Sequence, residues 1–218
     1  MEYPLIRSIV PPIVKLWVRK VTGLENVPKE GPFIIAANHS SYFDHFAVMS
    51  ILFPFLDKKI HFIAKKEHFD SLHQKLWHSY FESIPIDRNA GDKALDTAIS
   101  FLKEGKIIAI YPEGTRTLTG DLQRGKTGVA RLVLGAKVPV VPVGLIGTFD
   151  ILPKGKYIPR LRRASMHIGK PMAFDRYFGK KVTKELLHAI TDEVMECIAS
   201  LCNKKYPHER IGGGRAEG

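Results

Sequence analysis

Short apolar runs alternate with helical patterns along most of the chain. Runs without polar interruption are typical of strands that are buried on both faces. These strand patterns are residues 33–37, 60–64, 107–111, 138–145 and 165–168. The stretches with helical spacing are residues 41–56, 71–81, 91–103, 127–136 and 183–202. Alternation of the two predicts a single α/β domain with a mixed, mostly parallel sheet covered by helices on both faces.

The ends of the chain differ from this central domain. Thr183 is the predicted N-cap of the closing helix, because its hydroxyl can accept a hydrogen bond from the first helical turn. Residues 207–218 contain a run of glycines among charged residues, which predicts a flexible tail. We therefore divide the chain into an N-terminal segment at 1–22, the main domain at 23–206 and the tail at 207–218.

The N-terminal segment is predicted to be basic and amphipathic. Apolar residues recur there at helical spacing: Leu5, Ile6, Ile9, Ile13, Leu16 and Trp17. Basic residues lie among or beside them: Arg7, Lys15, Arg19 and Lys20. Pro11 and Pro12 interrupt the pattern, so a kink or two short helices are expected. Two interpretations stay open: the apolar face packs on the domain, or it lies on an anionic membrane surface.

The charge balance adds an anionic partner to this picture. The 218 residues include 33 Lys and Arg against 22 Asp and Glu, a net charge of +11. Nucleic acid, a membrane surface or a phosphorylated substrate would each account for it. The longest uncharged apolar run, residues 46–56, is too short to span a bilayer. If the protein meets a membrane, we expect it to lie on the surface.

Neither the cysteines nor the histidine-rich stretch predicts a metal site or a disulfide. Cys197 and Cys202 lie five residues apart in one predicted helix, which turns them to different faces and favours a reducing cytoplasm. The clustered histidines lack carboxylates or cysteines at metal-ligand spacing. They are His61, His68, His73 and His78.

The first candidate catalytic segment is NHSSYFD at residues 38–44, directly after a predicted buried strand. His39 would face the crevice at the edge of the sheet, and Asp44 could accept a hydrogen bond from one ring nitrogen. The other nitrogen would then be free to act as a base. Ser41 and Asp44 also have the spacing of a helix capping box, in which His39 is only a loop residue. Both interpretations stay open on spacing alone.

The second segment is YPEGTR at residues 111–116, which follows the strand pattern at 107–111. Gly114 would let the backbone approach a ligand, and Arg116 offers a planar fork suited to phosphate. The alternative is an ordinary turn with a local ion pair between Glu113 and Arg116.

Together the two segments resemble the glycerolipid acyltransferase family, typified by 1-acylglycerol-3-phosphate O-acyltransferases. Members carry an N-H-x-x-x-x-D block and then an F/Y-P-E-G-T-R block, in the order found here. Three further stretches are similar to family blocks: FIAKK at 62–66, SIPIDR at 83–88 and VPVVPV at 138–143. The resemblance covers residues 23–171. Members that span the membrane begin with long apolar helices, whereas this chain begins with the amphipathic segment.

The resemblance implies transfer of a fatty acyl chain from a thioester, acyl-CoA or acyl carrier protein, to the hydroxyl of 1-acylglycerol 3-phosphate. The product would be phosphatidic acid. His39 would take the hydroxyl proton, and Asp44 would orient His39 and stabilise the imidazolium. The acceptor phosphate would be bound by the FIAKK, SIPIDR and YPEGTR stretches, through Lys65, Arg88, Glu113, Gly114, Thr115 and Arg116. Glu113 would orient Arg116 or an acceptor hydroxyl.

The family implies neither a metal nor a cofactor. Another lysolipid or glycerol 3-phosphate is an alternative acceptor. The expected location is the inner face of the cell membrane, as a peripheral cytoplasmic protein.

Two other patterns indicate different classes of protein. Residues 120–127, GDLQRGKT, match the P-loop of nucleotide-binding proteins, but a P-loop should follow its strand at once. The basic run in residues 154–163 could bind nucleic acid. The prolines and the glycine among its charges favour a solvated or membrane-facing loop instead. We therefore expect no nucleic-acid partner and keep the P-loop protein as the alternative class.

Overall fold

Seven strands form one sheet at the centre of the molecule. The structure, a computed structural model, describes residues 10–56, 58–65, 83–86 and 93–207. The strands are β1 (Val18–Thr22), β2 (Ile34–Ala37), β3 (Ile60–Lys65), β4 (Ile84–Ile86), β5 (Ile107–Ile110), β6 (Val140–Ile146) and β7 (Ala164–Ile168). The helices are α1 (Phe43–Leu52), α2 (Lys93–Lys103), α3 (Gly128–Ala136), α4 (Thr148–Ile151) and α5 (Lys184–Cys202). Two short 3₁₀ helices occupy Leu24–Asn26 and Asp175–Tyr177.

The strand order is β1-β7-β6-β2-β5-β3-β4. All neighbouring pairs are parallel except β6 with β7, which is antiparallel. Helical crossovers are needed between parallel strands, and α1, α2 and α3 provide them. The predicted mixed, mostly parallel sheet is confirmed.

Alternate residues of the central strand β2 supply the two halves of the core. Ile35 and Ala37 pack on the face covered by α1, whereas Ile34 and Ala36 pack on the face covered by α2, α3 and α5. Both faces of the strand are therefore buried, which explains its unbroken apolar sequence. The predicted helical layer on each face is confirmed.

Residues 18–22 of the predicted amphipathic segment form a strand, which the helical pattern did not predict. Residues 10–14 form a short helical stretch, but β1 is an edge strand that pairs in parallel with β7, Val18 opposite Ala164. Val18 is buried while Arg19 and Lys20 are exposed, so this strand packs only part of its residues against the core. Because of these exposed basic residues, β1 lacks the unbroken apolar run that predicts the central strands. Residues 1–9 lie outside the described residues, as do the predicted helix at 71–81 and most of the tail, residues 208–218.

The closing helix has the predicted start. The Thr183 hydroxyl accepts a hydrogen bond from the Leu186 backbone N–H at 3.2 Å. The helix packs on β6, and its buried residues include Ile190, Val194 and Ile198. Within the described ranges, we find no helix with the length and apolar character needed to cross a bilayer.

Candidate active site

Two neighbouring parallel strands bring the candidate segments together. Ala36 of β2 lies opposite Ile110 of β5, so both chains leave the sheet at the same edge. Residues 38–42 follow β2 and lead into α1, and residues 111–116 follow β5. Side chains about seventy positions apart in the sequence therefore meet in one crevice at the carboxyl ends of the strands.

His39 and Asp44 form the hydrogen-bonded pair at the centre of this crevice. The His39 Nδ1 atom lies 2.9 Å from Asp44 Oδ2. The same oxygen accepts hydrogen bonds from the backbone N–H groups of Ser40 and Ser41, both at 2.8 Å. Asp44 is fully buried. The catalytic and capping interpretations of Asp44 are therefore compatible, because one carboxylate oxygen serves the ring and the backbone at once.

The His39 ring is held against Tyr111. The two rings stack with centroids 4.0 Å apart at 14°. Burial, and then the negative charge of Asp44, raises the pKa of Tyr111 well above its ordinary value, so the phenol stays neutral. An ionised Asp44 is an acceptor only, so it fixes the tautomer with the proton on Nδ1. The Nε2 atom of His39 is thereby left as the acceptor.

Glu113 fastens the two segments to each other. Its Oε1 atom accepts a hydrogen bond from the His39 backbone N–H at 2.6 Å, and its Oε2 atom accepts one from the Gln123 backbone N–H at 2.8 Å. Burial raises the pKa of Glu113 to about 7, against the lowering effect of these donors. Glu113 therefore positions the turn at residues 38–44, which we call the histidine turn. Among the ion pairs of the described residues, none joins Glu113 to Arg116, so the expected local ion pair is not formed. A role of Glu113 toward an acceptor hydroxyl stays a prediction.

Arg116 lies instead on the histidine turn itself. Its guanidinium carbon is 3.5 Å from the centre of the Tyr42 ring, a cation–π contact. The Thr117 backbone N–H donates to the His39 carbonyl oxygen at 3.1 Å and fixes the chain just beyond Arg116. The arginine is only partly buried.

Gly114 leaves room for a second cation at this turn. Its φ angle is +69°, and a Cβ atom there would lie 3.0 Å from Lys126 Cδ and 3.2 Å from Lys126 Nζ. The Lys126 backbone N–H donates to the Pro112 carbonyl at 2.8 Å. In the sequence Lys126 belongs to the GDLQRGKT stretch, ten residues after Arg116. The structure brings it to the turn that carries Arg116.

Asn38 is a further site residue that sequence reasoning did not single out. Its side-chain amide bonds both backbone groups of Leu145 on β6, at 3.0 Å and 2.7 Å. The Cys202 thiol donates to the same amide oxygen at 3.2 Å. Burial raises the pKa of Cys202 to about 12, so the thiol stays protonated and acts as a packing group. The signal for Asn38 was a buried polar residue at the exit of an apolar strand, next to His39.

The remaining predicted residues are placed only in part. The Thr115 carbonyl accepts a hydrogen bond from Gln123 Nε2 at 2.9 Å, which holds the YPEGTR segment from its far side. Lys65 ends β3, and β4 ends at Ile86 opposite it. Arg88 lies outside the described residues.

The P-loop match has the wrong surroundings. Strand β5 ends at Ile110, ten residues before Gly120, and Gly125 packs against Thr191 and Met195 of α5. A phosphate cradle needs its glycines to face the ligand.

Of the clustered histidines, His61 is buried beside the Phe101 ring, while His68, His73 and His78 lie outside the described ranges. Among the residues that are described, no cluster of His, Cys, Asp or Glu could hold a metal ion.

Comparison with known proteins gave matches over most of the chain. A family model described as Acyltransferase matches residues 18–146. The chain is 34% identical over 191 residues to the 1-acyl-sn-glycerol-3-phosphate acyltransferase of Bacillus subtilis (strain 168), covering 85% of this chain and 88% of that protein. It is 27% identical to the Saccharomyces cerevisiae protein of the same name, over 84% of this chain and 60% of that protein.

A solved structure is similar over nearly the whole chain. It is the crystal structure of the 1-acyl-sn-glycerophosphate (LPA) acyltransferase PlsC from Thermotoga maritima. The TM-score is 0.70 at 26% identity, and the match covers 93% of this chain and 80% of that one.

Proposed function

The chain belongs to the Acyltransferase family, and from this membership we propose that it transfers a fatty acyl group from a thioester to the free hydroxyl of 1-acylglycerol 3-phosphate. The product is phosphatidic acid. The resemblance drawn from the sequence motifs is confirmed at the level of the family. The observation that carries the proposal is the 2.9 Å contact between His39 Nδ1 and Asp44 Oδ2 in the crevice.

The geometry of the pair suits a general base. Nδ1 is bonded to the buried carboxylate, so Nε2 takes the proton from the acceptor hydroxyl as its oxygen attacks the thioester carbonyl carbon. The Asp44 charge stabilises the imidazolium that forms. When the carbon–sulfur bond breaks, the imidazolium returns the proton to the leaving thiolate. This sequence balances protons and electrons without a covalent acyl-enzyme.

Cations beside the histidine turn suit a phosphorylated acceptor. Arg116 stacks on Tyr42, three residues after His39, and the Lys126 side chain lies over Gly114. A phosphate bound there would hold the rest of the acceptor near Nε2, which converts an encounter into a positioned attack. We propose that Arg88 and Lys65 complete this phosphate site.

The acceptor and donor are tested with the purified chain, labelled acyl-CoA and acyl carrier protein carrying the same acyl group. The acceptors are 1-acylglycerol 3-phosphate, glycerol 3-phosphate, lysophosphatidylcholine and the unphosphorylated monoacylglycerol. We expect 1-acylglycerol 3-phosphate to give the highest kcat/KM. If glycerol 3-phosphate or another lysolipid gives a higher kcat/KM, that compound is the acceptor instead. If the chain transfers the acyl group to none of these compounds, the acyltransferase proposal is overturned.

The same assay separates this proposal from nucleotide chemistry. No residue of the site is assigned to a metal, so we expect transfer to continue in excess EDTA. Calorimetry with ATP and magnesium should show no saturable binding. Magnesium-dependent ATP binding together with an absence of acyl transfer would favour a P-loop protein.

We also propose that the protein lies on the inner face of the cell membrane as a peripheral protein. Its net charge of +11 suits an anionic lipid surface, and a lysophospholipid acceptor resides in the membrane. The exposed Ile13 and Leu16 beside Lys15 fit the basic amphipathic character expected of the N-terminal segment. Binding to anionic vesicles that is lost at high salt would support this location, and a chain that stays in solution with every vesicle would contradict it.

A further inference from the structure

The loop between α4 and β7 exposes large apolar side chains. We call residues 153–163, PKGKYIPRLRR, the basic loop. Residues 154–163 are all exposed. Tyr157, Ile158 and Leu161 keep 86%, 83% and 85% of their surface in contact with solvent. Leaving three such side chains in water is unfavourable, and a group of them on one loop marks an interaction surface.

The same loop carries only positive charge. It contains the cations Lys154, Lys156, Arg160, Arg162 and Arg163, with no acidic residue among them. None of the ion pairs found within the described ranges involves these side chains. The loop therefore offers apolar side chains surrounded by cations, which is the composition that anionic lipid surfaces attract.

The base of the loop is fixed while its tip is not packed. The Arg160 backbone N–H donates to the Ile151 carbonyl at 2.8 Å, and the Trp17 indole N–H donates to the Arg160 carbonyl at 2.9 Å. The Lys156 backbone N–H closes a turn on the Pro153 carbonyl at 3.1 Å. These bonds tie the loop to the domain and leave Tyr157 and Ile158 pointing into solvent.

The bond from Trp17 also joins the basic loop to the N-terminal segment. Leu16 and Ile13, just before Trp17, are 54% and 50% exposed. Lys15 between them is exposed as well. The apolar and basic surface of the loop therefore continues onto Leu16, Lys15 and Ile13.

The start of the loop is bonded to the histidine turn. The Leu152 carbonyl accepts hydrogen bonds from the Ser41 hydroxyl at 2.7 Å and from the Tyr42 backbone N–H at 3.1 Å. Ser41 and Pro153 form an isolated bridge. Ser40 and Ser41 in turn donate their N–H groups to Asp44. A surface that meets lipid at this loop thus brings the lipid to the edge of the active site.

We propose that the basic loop docks on an anionic phospholipid bilayer, with Tyr157, Ile158 and Leu161 inserted among the lipids and the five cations on the headgroups. The loop is a second attachment element, next to the N-terminal segment. It rests on the proposed function only in that a bilayer is the source of the acceptor. Pro153 at the start of the loop is bridged to Ser41, so a docked loop would place the bilayer next to the crevice that holds His39.

The first experiment removes the apolar side chains. The triple variant Tyr157→Ser, Ile158→Ser and Leu161→Ser is compared with the wild type by cosedimentation with vesicles of phosphatidylglycerol and phosphatidylcholine. Since each buried aliphatic side chain contributes on the order of tenfold to partition, we expect at least a tenfold loss of vesicle binding. Val182→Ser is the control. Val182 is also an exposed apolar residue, at 59%, but it lies outside the basic loop, just before α5.

The second experiment removes charge. Lys154→Gln with Lys156→Gln should weaken binding to the anionic vesicles by roughly 25-fold, because each cation contributes about fivefold. Lys181→Gln with Lys184→Gln removes the same charge from an exposed stretch outside the loop and should change binding far less. Both differences should shrink at high salt.

Insertion is measured directly with a tryptophan at the tip. Lipids brominated in their acyl chains should quench the fluorescence of the new tryptophan in Ile158→Trp but not that in Val182→Trp. Each fluorescence is measured as the difference from the wild-type protein, which contains Trp17 and Trp77. Equal vesicle binding by the serine triple variant and the wild type would overturn the proposal. So would a wild type that binds no anionic vesicle, or a loop whose cations bind duplex DNA in place of vesicles.

Failure of the docking proposal can be distinguished from failure of the proposed function. Transfer to a short-chain acceptor kept below its micelle concentration needs no bilayer, so we expect the triple variant to retain it. Loss of vesicle binding with this activity intact supports the loop as a docking element. A chain without any transferase activity would overturn the proposed function while the vesicle result still decides the loop.

Discussion

The histidine turn and the basic loop touch each other but are built in opposite ways. In the turn, residues 38–44, the backbone and side chains are bonded to β6, to the YPEGTR segment and to the chain after α4. Asp44 and Ser41 are fully buried. In the basic loop, residues 154–163 are exposed, and the hydrogen bonds lie at its base.

The difference suits the two tasks proposed above. A proton transfer needs its atoms held within a fraction of an ångström, and the turn has the buried hydrogen bonds to three other segments that this would require. Attachment to a fluid surface gains its free energy from apolar area and charge, which need no fixed register. We expect substitutions in the turn to affect kcat steeply, and substitutions in the loop to affect binding to membranes.

The largest expected effect is that of His39→Ala, which tests whether the turn is catalytic at all. Removing the general base should lower kcat by about a hundred- to ten-thousand-fold. The thermal transition should move little, because Asp44 keeps its bonds to Ser40 and Ser41. His167→Ala on β7, where the ring bonds Thr22, is the control and should retain activity. A fully active His39→Ala enzyme would move the chemistry to another group.

The next expected effect is the pH dependence of stability that Glu113 introduces. Its pKa is about 7 in the folded chain against an ordinary value of 4.5. The folded state therefore binds more protons between these values, and this stabilisation is complete below about pH 4.5 and lost as the pH rises through 7. The loss amounts to about 3 kcal/mol of unfolding free energy. Denaturant unfolding at several pH values measures it.

Glu113→Gln isolates this contribution. The amide cannot ionise, so the difference in unfolding free energy between wild type and variant should shrink as the pH rises from 5 to 8. Glu193→Gln serves as the control, because that carboxylate is near the surface, where it is bonded by Arg176 and Tyr177. A difference that stays constant with pH would show that the Glu113 pKa is not raised.

Asp44→Asn separates the charge of the carboxylate from its hydrogen bonds. Within the described part of the chain, Asp44 Oδ1 has no hydrogen-bond partner, so an amide group fits there while the carbonyl oxygen keeps the bonds of Oδ2. The tautomer of His39 survives, but the imidazolium loses its counter-charge. We expect kcat to fall roughly ten- to a hundred-fold. Asp192→Asn, at another buried carboxylate, should lower stability only. Full activity in Asp44→Asn would leave Asp44 as a cap.

The fold was largely predictable from the sequence because its central strands are buried on both faces. An unbroken apolar run as short as residues 107–111 is typical of such a strand and too short for a helix. Strands β1 and β4 were missed for different reasons. β1 is an edge strand with exposed basic residues, and β4 has three residues, too few to show a period. Their assignment depends on neighbours that the local pattern does not contain.

The sequence named the candidate site residues but not the contacts between them. The resemblance supplied His39, Asp44 and Arg116, and the parallel pairing of β2 with β5 explains why two distant segments meet. Neither motif indicates that Tyr111 stacks on His39, or that Glu113 accepts from the His39 backbone. Those contacts depend on side-chain packing across the sheet edge, which spacing along the chain does not encode.

A smaller effect is expected for Arg116→Lys, at the border between the turn and the substrate. The lysine keeps the charge but loses the planar fork and the stack on Tyr42. We expect kcat/KM for the acceptor to fall about tenfold, with the KM of the acyl donor unchanged. Arg131→Lys on α3 is the matched control. Equal use of a phosphorylated and an unphosphorylated acceptor by the wild type would contradict the phosphate site.

The smallest expected effect compares two glycines, one in each region. Gly155 in the basic loop has φ +83° with open space around a would-be Cβ atom, whereas Gly114 has φ +69° with Lys126 at 3.0 Å. Gly155→Ala therefore carries only the backbone penalty of about 1 kcal/mol, a lowering of Tm by about 2 to 4 °C. Its kcat for a monomeric acceptor should equal that of the wild type, because no site residue moves. Gly114→Ala has the same backbone penalty but also displaces the Lys126 side chain, so it should lower kcat/KM for the acceptor. If Gly155→Ala lowered kcat as much as Gly114→Ala, the loop would be part of the catalytic geometry and the contrast between the two regions would fail.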